Sequence, residues 1–236
     1  MCGRYASARR DQEIADRFRV AELVGEDLGP SWNVAPTQDV RVVLEREESG
    51  QMARQLRTVH WGLVPSWAKD PKIGSRMINA RVETITEKPA FRRAAARRRL
   101  IVPMDGYFEW QAPESGRGRK QPFYLTDPDG APLAAAGLYE LWRDPAKGDD
   151  APDRWLWSMA VITTDATDTL GHIHDRSPLL LPGELWGEWL DPGLTDADDV
   201  DALIARIPEP HLMPVKVGVA VGNVRNNGPE LVRSVE

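Results

Sequence analysis

The sequence predicts an α+β fold in a single domain, with a largely antiparallel, barrel-like twisted sheet flanked by short helices. Most apolar runs are short and are bounded by Gly, Pro and Asp, which is typical of strands. These runs do not alternate with helices in the way that builds a parallel sheet. The 236 residues fit one domain, which we expect to span residues 1–236, because no segment has the length of an interdomain linker.

The predicted helices are short and amphipathic or charged. They cover residues 11–24, 88–99, 183–190 and 196–207. Ile14 and Phe18 recur at near-helical spacing in the first of these segments. The second is basic, and the last two carry acidic residues in the first turn, where negative charge favours a helix start.

The predicted strands lie between these helices. They cover residues 40–44, 56–63, 100–103, 107–110, 122–126, 132–139 and 155–164. Two polar segments, 112–121 and 143–154, are predicted to be loops. Residues 219–227 are predicted to be a strand that enters a turn.

Composition excludes several classes of protein. The 42% hydrophobic and 28% charged residues are ordinary globular values, which argue against disorder, a collagen-like repeat and a coiled coil. No apolar run approaches the roughly 20 residues of a membrane-spanning helix. The first residues lack the apolar stretch of a signal peptide, so we expect a cytoplasmic protein. The single cysteine, Cys2, cannot form an internal disulfide or a cysteine-rich zinc site.

Charge is distributed unevenly along the chain. The formal net charge of −6 argues, taken alone, against a nucleic-acid partner. Residues 1–120 nevertheless hold 22 Lys and Arg against 16 Asp and Glu, whereas residues 121–236 hold 8 against 20. Arginine supplies 24 of the 30 basic residues. Its planar guanidinium suits phosphate binding, although a general preference for Arg over Lys would give the same count.

Cys2 directly follows the initiator methionine, and this position changes its chemistry. Removal of Met1 is expected before a small second residue and would leave Cys2 with a free α-amine. An α-amine has a pKa of about 7.7–8 and a thiol one of about 8.5, so both react near neutral pH. The pair can condense with an aldehyde to a Schiff base and a thiazolidine, or attack an acyl group as N-terminal-nucleophile hydrolases do. An exposed cysteine at a frayed terminus is the alternative.

Other polar side chains occur in segments that differ from plain surface. Asn79, Arg81 and Glu83 alternate, so a strand there would place all three on one face. Glu109 is a single carboxylate in an aromatic strand, where burial would raise its pKa and suit acid–base chemistry. A solvent-facing Glu on an edge strand is the alternative. Trp67 lies beside a turn, where an exposed ring would stack on a base.

His172 and His174 are two of the four histidines. No further Cys or His cluster completes a ligand set, so we predict neither a metal site nor a cofactor. His174, which Asp175 and Arg176 follow, is better explained as a proton donor or an anion contact.

Seven motifs occur in order over nearly the whole chain. They are CGRY at 2–5, WNVAPTQ at 32–38, WGLVPSWAKD at 61–70, NARVET at 79–84, DGYFEW at 105–110, HDRSP at 174–178 and VGNVRNNG at 221–228. With them the chain resembles the SOS response-associated peptidase (SRAP) family, the sensors of abasic sites in single-stranded DNA. The resemblance implies one domain of the SRAP fold.

The resemblance also implies a covalent DNA–protein crosslink rather than turnover of a diffusible substrate. The Cys2 amine would form a Schiff base with the aldehyde of the ring-opened abasic sugar, and the Cys2 thiol would close a thiazolidine. By the same resemblance, Asn79 positions the amine or the sugar, Glu109 transfers protons at the amine, and His174 assists ring opening of the sugar.

A DNA-binding surface is implied as well, made of Arg4, Asn33, Pro36, Trp67, Arg81, Trp110 and Arg176. The three arginines would contact phosphates. The two tryptophans would stack on bases beside the lesion, so that binding would not depend on sequence.

The implied partner is single-stranded DNA that contains abasic sites. We expect the protein to be a monomer that is associated with the nucleoid and does not bind a membrane, with replication-fork proteins as further partners. The resemblance implies that Glu109 and His174 assist the removal of Met1, with a general aminopeptidase as the alternative.

An N-terminal-nucleophile amidase or peptidase acting on external substrates is the competing function. A non-catalytic single-strand binding module is the third.

Overall fold

A closed ring of five strands forms the centre of the structure, a computed structural model that describes residues 2–48, 50–166 and 172–235. The described strands are β1 (Tyr5–Ser7), β2 (Glu22–Val24), β3 (Ser31–Val34), β4 (Asp39–Glu48), β5 (Gln51–Trp61), β6 (Asn79–Arg81), β7 (Arg99–Met104), β8 (Gly106–Gln111), β9 (Gln121–Thr126), β10 (Leu133–Arg143), β11 (Trp155–Asp165), β12 (Arg176–Pro178) and β13 (Met213–Lys216). The ring follows the order β11–β10–β7–β4–β5 through antiparallel pairs. Parallel pairing of β5 with β11 closes it. The predicted barrel-like, largely antiparallel sheet is confirmed.

The two faces of the ring carry separate hydrophobic cores, because successive side chains of a strand point to opposite faces. On one face Val43 and Leu56 pack with residues of the helices, so this face is the outside of the barrel. On the other face Val42 and Val59 belong to the cluster that contains Cys2. Cys2 therefore packs against the barrel interior.

A second sheet has the strand order β13–β9–β8–β1–β3. Tyr5 of β1 pairs with Tyr107 of β8 on one side and with Val34 of β3 on the other. These pairings fix the first described residues between two strands. They bring Cys2 and Arg4 next to the side chains of β8.

The described residues form four α-helices, α1 (Asp11–Phe18), α2 (Arg92–Arg97), α3 (Trp186–Leu190) and α4 (Ala197–Ala205). Each lies within a predicted helical segment and is shorter than predicted, α1 and α2 by the most residues. The helix over 11–24 ends early because Arg19 adopts a left-handed conformation and the residues of β2 pair with β5 instead. The helix over 88–99 ends before Arg99, which already belongs to β7. No helix in the described ranges has the length and apolar character needed to cross a bilayer.

Two further predictions of local structure are wrong. Residues 219–227 form no strand, since Val219–Gly222 is a 3-10 helix whose Val221 packs against the second sheet. Glu83 does not share a strand face with Asn79 and Arg81, because β6 ends at Arg81 and Glu83 lies in the 3-10 helix Val82–Thr84. The two predicted loops are found where expected, between β8 and β9 and between β10 and β11.

Two glycines allow a close backbone contact that holds the segment carrying Trp67. Gly62 has a φ of +144°, and a Cβ atom there would lie 2.8 Å from the carbonyl oxygen of Gly74. A Cβ atom on Gly74 would collide with the carbonyl oxygen of Gly62 in turn. The two segments can therefore approach only because neither residue carries a side chain.

We expect Gly74→Ala to lower the free energy of unfolding by about 1–3 kcal/mol, because backbone must move to admit the methyl group. Gly148→Ala is the matched control, since nothing lies within 4 Å of a Cβ atom at Gly148. The control should change stability by less than about 0.5 kcal/mol. Urea denaturation followed by tryptophan fluorescence measures both, and equal effects would contradict the close-contact explanation.

Candidate functional site

Cys2 is fully buried at the junction of the two sheets. Its carbonyl oxygen accepts a hydrogen bond of 2.9 Å from Nδ2 of Asn79. The same core cluster contains Tyr5 and Tyr107, which pair across β1 and β8. The first motif of the chain and the NARVET motif are thus joined by a direct hydrogen bond.

Asn79 is held by the closure of the barrel. It begins β6, which pairs in parallel with β11 through Asn79 and Val161. The preceding carbonyl, of Ile78, accepts hydrogen bonds from Nε1 of Trp61 at 2.9 Å and from the backbone nitrogen of Val161 at 3.1 Å. Oδ1 of Asn79 is buried and has no hydrogen-bond partner among the described residues. The amide is therefore fixed on its donor side and has an unused acceptor.

Glu109 lies on the same face of β8 as Tyr107 and is 4% exposed. Burial raises its pKa to about 7. The solvent-facing alternative for Glu109 is therefore wrong, and the raised pKa expected from burial is confirmed. A carboxyl group with such a pKa both accepts and donates protons near neutral pH.

The Cys2 thiol is affected by the same surroundings. Burial raises its pKa strongly, and the negative charge of Glu109 raises it further. The thiol is therefore protonated at neutral pH. The alternative of an exposed cysteine at a frayed terminus is wrong. Met1, whose removal is predicted, lies outside the described residues.

His174 lies beside this cluster, in the connection that leads to β12. Its Nδ1 lies 3.0 Å from the backbone nitrogen of Arg176 and 2.9 Å from Oδ1 of Asp175. The contact with the Asp175 carboxylate would require a proton on Nδ1. The hydrogen bond from the backbone N–H of Arg176 requires Nδ1 to be unprotonated. Because partial burial lowers the pKa of His174, the neutral ring with its proton on Nε2 is favoured. The negative charge of Asp175 contributes to the raised pKa of Glu109, which places this connection near β8.

Arg176 is 9% exposed and is engaged within the chain. Its guanidinium pairs with Glu83, at 2.6 Å between Nη1 and Oε1, and with Asp165, and it donates to the carbonyl oxygen of Thr163 at 2.6 Å. These contacts join β12 to β11 and to the turn after β6. Its function as a phosphate contact stays a prediction.

Arg81 differs from Arg176 because its side chain is exposed. Both arginines line a cleft of about 320 Å³ together with Asn79, Arg76 and Lys88. The cleft therefore begins at the residue that binds Cys2 and continues along a positively charged rim.

Trp67 is 58% exposed and lines a second cleft with Lys69, Lys72 and Arg76. Arg76 lines both clefts, so basic side chains continue from Trp67 to Asn79. These lysines and Arg76 are not among the site residues predicted from the sequence. The basic residues that follow WGLVPSW in the sequence could have indicated a positively charged surface beside Trp67.

Arg4 lies against the face of β8 that carries Trp110, opposite to the face that carries Glu109. Its Nη1 donates to Oδ1 of Asn33 and to the carbonyl oxygen of Val221, both at 2.8 Å. The guanidinium carbon lies 5.8 Å from the ring centroid of half-buried Trp110, within the range of a cation–π contact. Half-buried Pro36 lies in the turn between β3 and β4. The structure thus brings Arg4, Asn33 and Trp110 together.

Metal ligands do not converge in the part of the chain that the structure describes. No group of three or more His, Cys, Asp or Glu side chains there could hold a metal ion. His172 uses its backbone carbonyl to accept a hydrogen bond of 3.2 Å from Nε2 of Gln111. The groups that do converge are an amide, a carboxyl group, a thiol and an imidazole.

Comparison with known proteins gives a consistent result. The model of the family described as SOS response associated peptidase (SRAP) matches residues 1–224. The chain is 34% identical over 235 residues to abasic site processing protein YoqW of Bacillus subtilis, covering 99% of this chain and 100% of the relative. It is 33% identical over 242 residues to abasic site processing protein YedK of Escherichia coli, covering 100% of each. Abasic site processing protein HMCES of Xenopus tropicalis is 33% identical over 273 residues, covering 100% of this chain and 78% of the relative.

Solved structures share the fold. A protein from Bacteroides thetaiotaomicron superposes with a TM-score of 0.81 at 23% identity and covers 100% of both chains. A protein from Bordetella bronchiseptica gives a TM-score of 0.73 at 27% identity, covering 92% of this chain and 100% of that one. Because the family match spans nearly the whole sequence and relatives above 30% identity cover it, the chain belongs to the SOS response associated peptidase (SRAP) family.

Proposed function

We propose that this protein processes abasic sites in single-stranded DNA by forming a covalent thiazolidine crosslink through Cys2, once Met1 has been removed. The observation that carries this proposal is the convergence of Cys2, Asn79 and Glu109 in one buried cluster. Relatives that match 98% or more of this chain are named abasic site processing proteins, which supports DNA with abasic sites as the partner.

The first chemical step forms a carbon–nitrogen bond. The Cys2 amine adds to the C1′ aldehyde of the ring-opened sugar, and the resulting carbinolamine loses water to give an imine. Glu109, with a pKa of about 7, accepts the proton that the amine releases and returns it to the departing hydroxyl group. Asn79, which already holds the Cys2 carbonyl, keeps the amine near the carboxyl group.

The second step forms a carbon–sulfur bond. The thiol of Cys2 adds to the imine carbon, and its proton passes to the imine nitrogen, which gives the five-membered thiazolidine. Because burial keeps the thiol protonated, it is a poor nucleophile until the imine provides a strong electrophile beside it. The order of events is therefore amine first and sulfur second. A thiol in this state is also poorly suited to attack external amides.

His174 acts on the sugar before these steps. The abasic sugar exposes its aldehyde only when the ring C–O bond opens, which requires a proton on the ring oxygen and loss of one from the hydroxyl group. The Nε2–H of the neutral imidazole donates a hydrogen bond to the ring oxygen while water carries the hydroxyl proton to that oxygen, so His174 ends the step in the form in which it began. Hydrolysis of the Met1–Cys2 peptide bond consumes one water and must precede all steps, since an acylated Cys2 nitrogen is not nucleophilic.

The DNA strand is proposed to follow the basic surface that continues from Trp67 through Arg76 to Arg81 and Lys88. Exposed guanidinium and ammonium groups bind phosphates without regard to sequence, and the exposed ring of Trp67 offers a surface for base stacking. The surface ends at Asn79, beside Cys2.

Arg81→Ala is expected to weaken binding to intact single-stranded DNA about fivefold, because one charged phosphate contact is lost. The slope of log affinity against log salt should fall in magnitude by about 0.7. Arg206→Ala is the matched control, because Arg206 is an exposed arginine directly after α4 that pairs with Glu188 and lines neither cleft. Fluorescence anisotropy over a salt series measures both. Equal effects of the two variants would remove Arg81 from the interface.

The experiment that tests the proposal uses the mature protein and a single-stranded oligonucleotide with one abasic site. Intact mass spectrometry first verifies that Met1 is absent. After incubation, a denaturation-resistant species should appear whose mass equals protein plus oligonucleotide minus one water. No such species, or repeated turnover of an amide substrate instead, would overturn the proposal in favour of an N-terminal-nucleophile hydrolase.

A further inference from the structure

The amide of Asn33 joins three parts of the chain from a position that is 2% exposed. Nδ2 lies 3.3 Å from the carbonyl oxygen of Val221, 3.0 Å from that of Asn223 and 2.8 Å from that of Asn226. Oδ1 accepts the hydrogen bond from Nη1 of Arg4. An amide has two N–H donors and one carbonyl acceptor. Each side of the Asn33 amide is therefore occupied by the protein itself.

Arg4 is fixed by the same arrangement. Its Nη1 is shared between Asn33 and the carbonyl oxygen of Val221, while the guanidinium lies over Trp110. Nη1 has two hydrogens, so both are used and the plane of the guanidinium is set. In the described part of the chain, Arg4 forms no ion pair with a carboxylate, its buried Nε has no hydrogen-bond partner, and both of its side-chain hydrogen bonds come from Nη1, which leaves Nη2 to donate elsewhere.

A half-buried guanidinium without a carboxylate is unusual, because burial lowers its pKa and disfavours the charge. Neutral oxygens of Asn33 and Val221 orient it but leave its charge uncompensated. An anion is the group that such a site lacks. A phosphate of the bound strand supplies that charge and accepts from Nη2.

We infer that Asn33 is a positioning residue, which holds the guanidinium of Arg4 over Trp110 so that Nη2 meets a DNA phosphate. The inference rests on the proposed function for the identity of the anion. Asn33 itself does not touch the DNA, in contrast to its predicted function as a DNA contact. The N–H groups of the Asn33 amide also hold residues 219–227 against β3. The carbonyl oxygen of Val221 thereby accepts a hydrogen bond from Arg4.

The choice of an amide follows from these two tasks. An aspartate would still accept from Arg4, but it would neutralise the guanidinium and place a negative charge against three carbonyl oxygens. An alanine would leave those carbonyls without donors and Arg4 without its orienting partner. Only a neutral group with a donor end and an acceptor end does both.

The test is a double-mutant cycle on binding to intact single-stranded DNA, with Arg4→Ala, Asn33→Ala and the double variant. We expect each single change to weaken binding about tenfold and the double change to weaken it no more than the stronger single one. Asn33→Asp should also weaken binding and should lower the magnitude of the salt slope by about 0.7, since it removes the charge of Arg4 from the interface.

Gln121→Ala is the matched control. Its amide also anchors the C-terminal region, through a hydrogen bond of 2.9 Å from Nε2 to the carbonyl oxygen of Val217, but it does not touch Arg4. Binding by this variant should stay within twofold of wild type. If Asn33→Ala fails to fold, the Asn33→Asp comparison decides the question.

Additive losses in the cycle, an unchanged salt slope in Asn33→Asp, or an equal loss in Gln121→Ala would overturn the inference. The proposed function is tested separately, by the covalent adduct that the wild-type protein forms with an abasic oligonucleotide. A wild-type adduct with an additive cycle would remove Asn33 as a positioning residue and leave the crosslinking function in place.

Discussion

Cys2→Ser protein should give at least a hundredfold less denaturation-resistant adduct than wild type with an abasic oligonucleotide. The serine amine still forms the imine, but a hydroxyl group closes only a labile oxazolidine ring, which hydrolyses on denaturation. Sodium cyanoborohydride, which reduces an imine to a stable amine, should restore the adduct. Gel electrophoresis under denaturing conditions and intact mass measure the yield with and without the reductant.

Cys2→Ala completes this experiment, because it keeps the amine and removes any ring-closing atom. It should behave as Cys2→Ser does, with an adduct only when the reductant is present. Both variants must first be shown to lack Met1. An adduct of wild-type yield in Cys2→Ala without reductant would refute the thiazolidine, and no adduct with reductant would refute the amine as first nucleophile.

Glu109→Gln should slow adduct formation at saturating DNA by about 100-fold, the usual contribution of general acid–base catalysis. Binding to intact single-stranded DNA should change less than twofold, because Glu109 is 4% exposed and faces Cys2 rather than the basic surface. The wild-type rate should rise with pH through an inflection near pH 7, where Glu109 becomes a base, and the variant should lack this inflection.

The same substitution should stabilise the protein in alkaline solution. The pKa of Glu109 is raised from 4.5 to about 7, so the folded state binds its proton more tightly than the unfolded chain does. Ionisation therefore costs stability, beginning as the pH rises above 4.5 and reaching its full extent above pH 7. The cost is roughly 3 kcal/mol, at about 1.4 kcal/mol per pKa unit.

Glu109→Gln removes this cost, so its free energy of unfolding should exceed that of wild type by about 1–3 kcal/mol at pH 8 and by much less at pH 4. Urea denaturation at the two pH values measures the difference. Glu114→Gln, in the exposed loop between β8 and β9, should show no such pH dependence. A variant that loses both rate and stability at pH 8 would mark Glu109 as a structural residue.

Much of the fold could be predicted from alternation and turn residues, but its shortest strands could not. β1, β2 and β12 have three residues each, too few for a periodic pattern. Their conformation is imposed by pairing with longer strands, as in the case of β2, which pairs in parallel with β5. The strand predicted over residues 219–227 is wrong for a related reason, since Val221 packs against the second sheet from a 3-10 helix that does not join it.

The sequence predicts which residues form the candidate site, but it does not predict which of them contact one another. The thiol of Cys2, the carboxyl group of Glu109 and the amide of Asn79 were each identified by position or context. The hydrogen bond between Cys2 and Asn79 spans 77 positions and depends on the closure of the barrel, which no local pattern encodes. The ion pair between Arg176 and Glu83 could not be predicted either, because it forms only when the turn after β6 brings Glu83 beside β12.

The polarity of β11 has a practical consequence for studying this protein. Asn79 pairs with Val161 near the end of this strand, whereas the acidic loop over 143–154 precedes its first residue, Trp155. Six residues of extended strand correspond to about 20 Å. A fluorophore attached in that loop would therefore lie far from Cys2 but close to Trp67, because Trp142, directly before the loop, donates from Nε1 to the carbonyl oxygen of Ala68 at 2.7 Å. It would report DNA capture in single-molecule measurements without perturbing the chemistry at Cys2.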